Sequence, residues 1–124
     1  MIRNFILVGL GGMIGSVLRY LAALLIKNPN FPLSTFIVNF TGSFIIAVVL
    51  GLSLRNQWFD QNWRLFFATG VCGGFTTFST FSVECVQLIQ QQRYGVFAAY
   101  VLLSIAAGIT ATFTGFYLTT HLKY

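Results

Sequence analysis

The sequence predicts an all-α membrane protein of four transmembrane helices, the third broken near its centre, and two observations carry most of that expectation. With 124 residues that are 56% apolar, 17% aromatic and only 7% charged, the chain is too apolar for a water-soluble domain. Its apolar residues also fall into four runs, at 5–26, 34–54, 64–89 and 96–119, each longer than the ~20 residues that cross ~30 Å of hydrocarbon. Arg3, Lys27, Arg55, Asp60, Arg64, Arg93 and Lys123 lie near the ends of these runs, whereas Arg19 and Glu84 do not. The loops are short, such as "KNPNFPL" and "QQQRYG". Any chemistry therefore takes place within a multi-pass protein of the cell (inner or plasma) membrane.

The first run follows Arg3 as a signal peptide would, but it is longer than a usual signal core and no A-x-A site follows, so it reads as a retained helix. Arg19 lies about 10 Å from the end of this run at ~1.5 Å per residue, within snorkelling reach of the interface. It serves either as an anchor or as an electropositive vestibule that draws in anions. Gly11 and Gly15, with Gly12 beside them, make a small-residue ridge for packing, within a subunit or between subunits.

In the second run Thr35, Asn39 and Ser43 recur at helical spacing and draw a polar stripe. The Asn39 amide suits either an anion or a neighbouring helix. The third run holds "GGFTTFSTFSVE", Gly73 to Glu84. On a helix Phe78 and Phe81 share one face, and Thr77, Thr80 and Glu84 another. A segment so polar around its circumference has to be enclosed by protein or water. Gly73 and Gly74 either break the helix, freeing carbonyls that are cation ligands, or let another helix approach. Glu84 is the one membrane-embedded carboxylate, and Thr80 is one turn away. In the fourth run Tyr100, Ser104 and Gly108 form a similar stripe, with Thr110, Thr112 and Thr114 beyond it.

Cys72 and Cys85 stand about 20 Å apart on one run if it is helical, too far to bridge, and read as small core residues. His121 belongs to a solvated tail. The net charge of +5 is spread over the loops without a basic cluster, which argues against nucleic acid and for lipid headgroups as the partner. Arg3, Arg55, Arg64 and Lys123 fall on one side of the membrane, against Lys27 and Arg93, with Arg19 nearer that second side. A charge bias this small commits the chain weakly to either orientation. Four helices are also too few to wall a wet pathway, so a transporter of this size has to oligomerise.

The run "GGFTTFSTFSVE" is similar to the signature of the Fluc (CrcB) family of fluoride channels, and "VNFTGSF", the late arginine of the first span and the overall length agree with it. The resemblance covers the whole chain. It implies a fluoride-selective channel, not an enzyme, built as an antiparallel, dual-topology homodimer with two fluoride pathways and a structural sodium ion at the dyad. It assigns Phe78 and Phe81 as ring edges lining the pathway and Asn39 as the amide that meets the ion. Thr35, Thr80 and Glu84 match the polar track, Tyr100 and Ser104 its fourth-helix side, and Arg19 the vestibule. The backbone carbonyls of Gly73 and Thr76 from both subunits would hold sodium. The physics agrees: a small, tightly hydrated anion needs hydroxyls, an amide and positive ring edges in place of its water. Two other readings are a small proton-coupled multidrug antiporter of four spans and an accessory subunit without transport of its own. The antiporter needs a first-helix carboxylate, where this chain has Arg19.

Overall fold

The fold is taken from a computed structural model, which describes residues 1–56 and 58–121. Among these residues every regular element is helical. Helix α1 spans Ile2–Leu25 and α2 spans Leu33–Arg55. The run 61–75, called α3, is continuous but changes winding: Gln61–Trp63 is α-helical, Arg64–Cys72 is π-helical and Gly73–Phe75 is α-helical. Helix α4 is Phe78–Gln90 and α5 is Tyr94–His121. Three of these helices, α1, α2 and α5, are each long and apolar enough to cross a membrane. Lys123 lies outside the described residues.

Most helix ends lie one to three residues beyond the apolar runs, as at Ile2 rather than residue 5 and at Tyr94 rather than residue 96, while α1 stops at Leu25, one residue short of its run. Hydropathy marks where a segment meets hydrocarbon, whereas winding continues through polar interfacial residues such as Arg3 and Asn4. The loops are closed by side chains. Asn28 Oδ1 accepts from the backbone amides of Asn30 (2.9 Å) and Phe31 (3.1 Å), which turns the chain ahead of Pro32 and α2. Asp60 Oδ1 accepts from the amides of Asn62 (2.9 Å) and Trp63 (3.3 Å), capping the start of α3 where the helix dipole favours a carboxylate. Between α4 and α5 the chain turns at Gln92, whose φ is 57°, and Arg93 Nη2 donates to the carbonyl of Asn30, tying this turn to the α1–α2 loop.

Two seams hold the bundle. Helix α2 packs along α5, where the buried Ala47 lies and where Gly115 brings its backbone against Phe44 and Ala47. Helix α1 packs on α3. A Cβ at Gly11 would strike the carbonyl of Phe66, one at Gly15 the carbonyl of Val71, and one at Gly74 the carbonyl of Gly12. The glycine ridge of α1 is thus used within the subunit. Backbone contact of this kind supplies the van der Waals attraction that drives helix association in lipid, where no hydrophobic effect operates between apolar helices. The outer faces of α1 and α5 are apolar and exposed, including Val17, Leu102 and Phe113, as lipid-facing surfaces are.

Gly73 and Gly74 keep helical geometry. The interruption comes just after them, where Thr76 (φ −76°, ψ 156°) and Thr77 (φ −152°, ψ 115°) are extended. Thr76 closes the helix before it: its amide (3.0 Å) and its hydroxyl (2.9 Å) both donate to the carbonyl of Cys72. Thr77 opens the helix after it, since its Oγ1 accepts from the Thr80 amide at 3.1 Å. Glycine spacing pointed to this neighbourhood. The residue that ends one helix and the residue that caps the next set the position.

Candidate functional site

The extended pair Thr76–Thr77 exposes peptide groups that a continuous helix would satisfy, and inside a membrane each unsatisfied group costs several kcal/mol. Asn39 of α2 answers for Thr77. Its Oδ1 accepts from the Thr77 amide (2.8 Å) and its Nδ2 donates to the Thr77 carbonyl (3.1 Å). One of the two amide hydrogens of Asn39 is spent on this grip, leaving one for a ligand. One turn along α2, Gly42 lets the Thr76 side chain pack directly on the helix.

The same bonds release carbonyls elsewhere. A continuous helix would direct the Thr77 amide to the carbonyl of Gly73 and the Thr80 amide to that of Thr76, but these amides go to Asn39 and to the Thr77 hydroxyl instead. The Gly73 and Thr76 carbonyls are left as oxygen donors. A Cβ placed on Gly73 would meet nothing within 4 Å, so the space beside it is open. Oxygen donors with room around them suit a hard cation such as sodium.

On the far side of the interruption a polar cluster joins three helices. Glu84 of α4 accepts at Oε1 from the Thr35 hydroxyl of α2 (2.8 Å) and at Oε2 from the Tyr100 hydroxyl of α5 (2.7 Å). Tyr100 is wholly buried and Thr35 nearly so. The carboxylate is thus held by Thr35 and Tyr100, whereas the Thr80 hydroxyl accepts from that of Thr77 at 3.0 Å. Above this cluster the rings continue: Phe81 lies 4.9 Å from Tyr100 and 5.8 Å from Phe78, centroid to centroid. Phe78 itself is 79% exposed, a large ring projecting from the subunit beside the interruption. Ser104, one turn beyond Tyr100 on α5, has a buried hydroxyl with no partner among the described residues. Thr112 and Thr114 of α5 are instead committed, donating to the carbonyls of Gly108 (2.9 Å) and Thr110 (2.8 Å) in their own helix.

Two cavities flank the Asn39–Thr77 junction. One, of about 220 Å³, is lined by Arg19 together with Thr35, Thr77 and Thr80. The other, of about 300 Å³, is lined by Asn39, Ser43, Gly73, Thr76, Thr77 and Phe78. Arg19 and Thr80 therefore share one cavity, and the Gly73 and Thr76 donors share the other with Phe78. Thr77, which lines both, is placed by the sequence on the face of Thr80 and Glu84 but given no role in the site. Its signal was its place as a hydroxyl residue immediately ahead of a helical face, the position where threonine caps.

Removing one hydroxyl tests the cluster. Tyr100→Phe keeps the ring contacts with Phe81 and Phe31 but deletes a hydrogen bond to a carboxylate. It is expected to lower stability by about 1–2 kcal/mol, read as an earlier thermal unfolding transition in detergent, while the protein still elutes as a single species.

Long apolar helices packed around a half-buried carboxylate, its hydroxyl partners and the Thr76–Thr77 interruption define a multi-pass α-helical membrane protein with a polar cluster between its helices. The chain belongs to the CrcB family: residues 6–116 match the family described as "CrcB-like protein, Camphor Resistance (CrcB)". It is 49% identical over 122 residues to a protein of Azobacteroides pseudotrichonymphae genomovar. CFP2 named "Fluoride-specific ion channel FluC", covering 96% of this chain and 98% of that one. Proteins of the same name from Agrobacterium fabrum (strain C58 / ATCC 33970) and Leptospira interrogans serogroup Icterohaemorrhagiae serovar copenhageni (strain Fiocruz L1-130) are 44% and 41% identical. The first covers 90% of this chain and 92% of its own, the second 91% of each.

Proposed function

We propose that this chain is a fluoride-selective channel that lets fluoride leave the cytoplasm passively and so protects the cell from its toxicity. The observation that carries this reading is the grouping of donors and rings: the Thr35–Glu84–Tyr100 cluster, the Phe81 and Phe78 rings that follow from Tyr100, and, one turn along the same helix, the Ser104 hydroxyl with no partner among the described residues. Stripping water from a small anion is affordable only where such groups replace it. Hydrogen fluoride enters uncharged and dissociates in the less acidic cytoplasm. An inside-negative potential of about 100 mV, worth ~2.3 kcal/mol per charge, then sustains an outward ratio of roughly 40-fold without energy input. The names of the relatives support the same reading. The antiporter has nothing in its favour here, because Arg19 stands in the helix that would need its carboxylate.

The working unit in this proposal is a homodimer of chains inserted in opposite orientations, with residues 61–90 of each acting as one broken span and the pathways running along the subunit interface. The exposure of Phe78 and the open space beside Gly73 support it, since both are surfaces that a second copy would cover. Gly73 and Thr76 carbonyls from the two copies would hold a structural sodium ion, whose charge would offset the carbonyl dipoles converging at the dyad. Asn39 keeps the Gly73 carbonyl available by taking the Thr77 amide, and the Thr77 hydroxyl keeps the Thr76 carbonyl available by taking the Thr80 amide.

Fluoride efflux from liposomes that contain only this protein, read with an ion-selective electrode, tests the function. Rapid release of fluoride with chloride retained is expected, and a fluoride-tight vesicle would refute the channel. The topology has its own measurement. A tag placed after His121 is expected to be accessible from both sides of the membrane at native expression, and tags confined to one side would rule out the antiparallel dimer.

A further inference from the structure

The connection between α2 and α3 carries a series of rings that the ion pathway does not use. Trp58 meets Phe59 edge-on at 5.6 Å, Phe59 lies 6.3 Å from Trp63, and Trp63 stacks on Phe67 at 5.7 Å with only 14° between the ring planes. Trp58 and Trp63 are nevertheless 69% and 47% exposed. Asp60 binds the amides of Asn62 and Trp63 and, through Oδ2, the Asn62 side chain at 2.8 Å, which fixes the backbone that carries Trp63. Arg55, Asp60 and Arg64 bracket the rings with charge. An exposed pair of indoles among charged residues at the end of apolar helices matches the chemistry of the bilayer headgroup layer, where an amphipathic ring has hydrocarbon on one side and water on the other.

Helix geometry makes this placement consequential. Thr76 lies twelve residues beyond Arg64, at most ~18 Å along the axis at ~1.5 Å per residue, since the wider π turns rise less. Along α2, Gly42, which packs on Thr76, lies thirteen residues before Arg55, or ~20 Å, and nine after Leu33, or ~14 Å. Half of a ~30 Å hydrocarbon core is ~15 Å. We infer that the Trp58–Phe59–Trp63–Phe67 ladder is a docking surface for the lipid headgroup layer, seated at the level that leaves the Thr76–Thr77 interruption near the bilayer centre.

The chain has only two tryptophans, so its tryptophan fluorescence, excited selectively over tyrosine, reports on this ladder alone. The protein is reconstituted in phosphatidylcholine vesicles whose acyl chains carry bromine either close to the headgroup or close to the chain end. Trp58→Phe and Trp63→Phe, which keep a ring at each position, separate the two indoles. Emission from each is expected to be quenched about twofold or more strongly by the shallow bromine than by the deep one. Equal or stronger quenching by the deep label would overturn the inference. So would emission quenched by aqueous iodide and by neither lipid, or emission untouched by all three, as burial under another protein surface would give. None of these readings depends on fluoride movement, so a failure of the channel assay leaves the docking result standing, and the reverse holds equally.

Discussion

Phe81→Ile and Phe78→Ile are each expected to cut fluoride flux by about tenfold or more while the protein remains folded. The substitution keeps apolar bulk and deletes the ring quadrupole, whose positive edge is worth about 0.5–1.5 kcal/mol in aromatic contacts. A loss of ~1.4 kcal/mol from the transport barrier corresponds to that factor of ten. The two positions differ in a useful way. Phe81 is packed 4.9 Å from the buried Tyr100, so its replacement also disturbs the support of the Glu84 cluster. Phe78 is largely exposed on the subunit, so a loss of flux there cannot come from a damaged subunit core. Phe78→Met is expected to be milder, because a polarizable, flexible side chain adapts to the space. Efflux from liposomes is compared for each variant with its gel-filtration profile. Wild-type flux in both isoleucine variants would show that the rings only fill space.

Gly15→Ala is expected to abolish recovery of a monodisperse protein, although it adds one methyl group. The new Cβ would lie on the carbonyl of Val71 and 2.7 Å from the amide of Phe75. Both obstacles are backbone, so no rotamer relieves the clash and the α1–α3 seam has to part. Overpacking ordinarily costs about 1–3 kcal/mol where side chains yield, and here they cannot. Gly9→Ala on the same helix is the control, since a Cβ there meets nothing within 4 Å. Equal yields of the two variants after extraction and gel filtration would show that α1 and α3 are not packed backbone to backbone.

The sequence disclosed elements whose signal is local. Apolar runs and the charges at their ends located α1, α2 and α5, and i, i+3 spacing placed Phe78 and Phe81 together, as their 5.8 Å separation shows. Partners chosen across helices were not legible. Glu84 had a threonine one turn away on its own helix, yet its hydrogen bonds run to Thr35 and Tyr100, because helix packing decides which hydroxyl arrives. The glycine pair illustrates the same limit. Gly74 is required by the approach of Gly12, whereas the chain opens two residues later at Thr76 and Thr77, where a cap and the Asn39 side chain offset the lost helical bonds. The π winding of Arg64–Cys72 left no mark on composition that we can identify.

The grip of Asn39 on Thr77 makes position 39 unusually unforgiving. A carboxamide is a peptide group without a chain attached, and it pairs with the backbone of Thr77 as a neighbouring strand would, one donor against one acceptor. Aspartate has the same outline and differs by exchanging that donor for an oxygen, which sets a lone pair against the Thr77 carbonyl and places a formal charge beside it. Leucine, also close in size, removes both halves of the pair. For this reason shape is a poor guide to what is tolerated there, and the mildest-looking replacement, Asn39→Asp, is expected to be as disruptive as a bulky one. Hydrolysis of this single side chain over the protein's lifetime would retire the molecule without breaking its backbone.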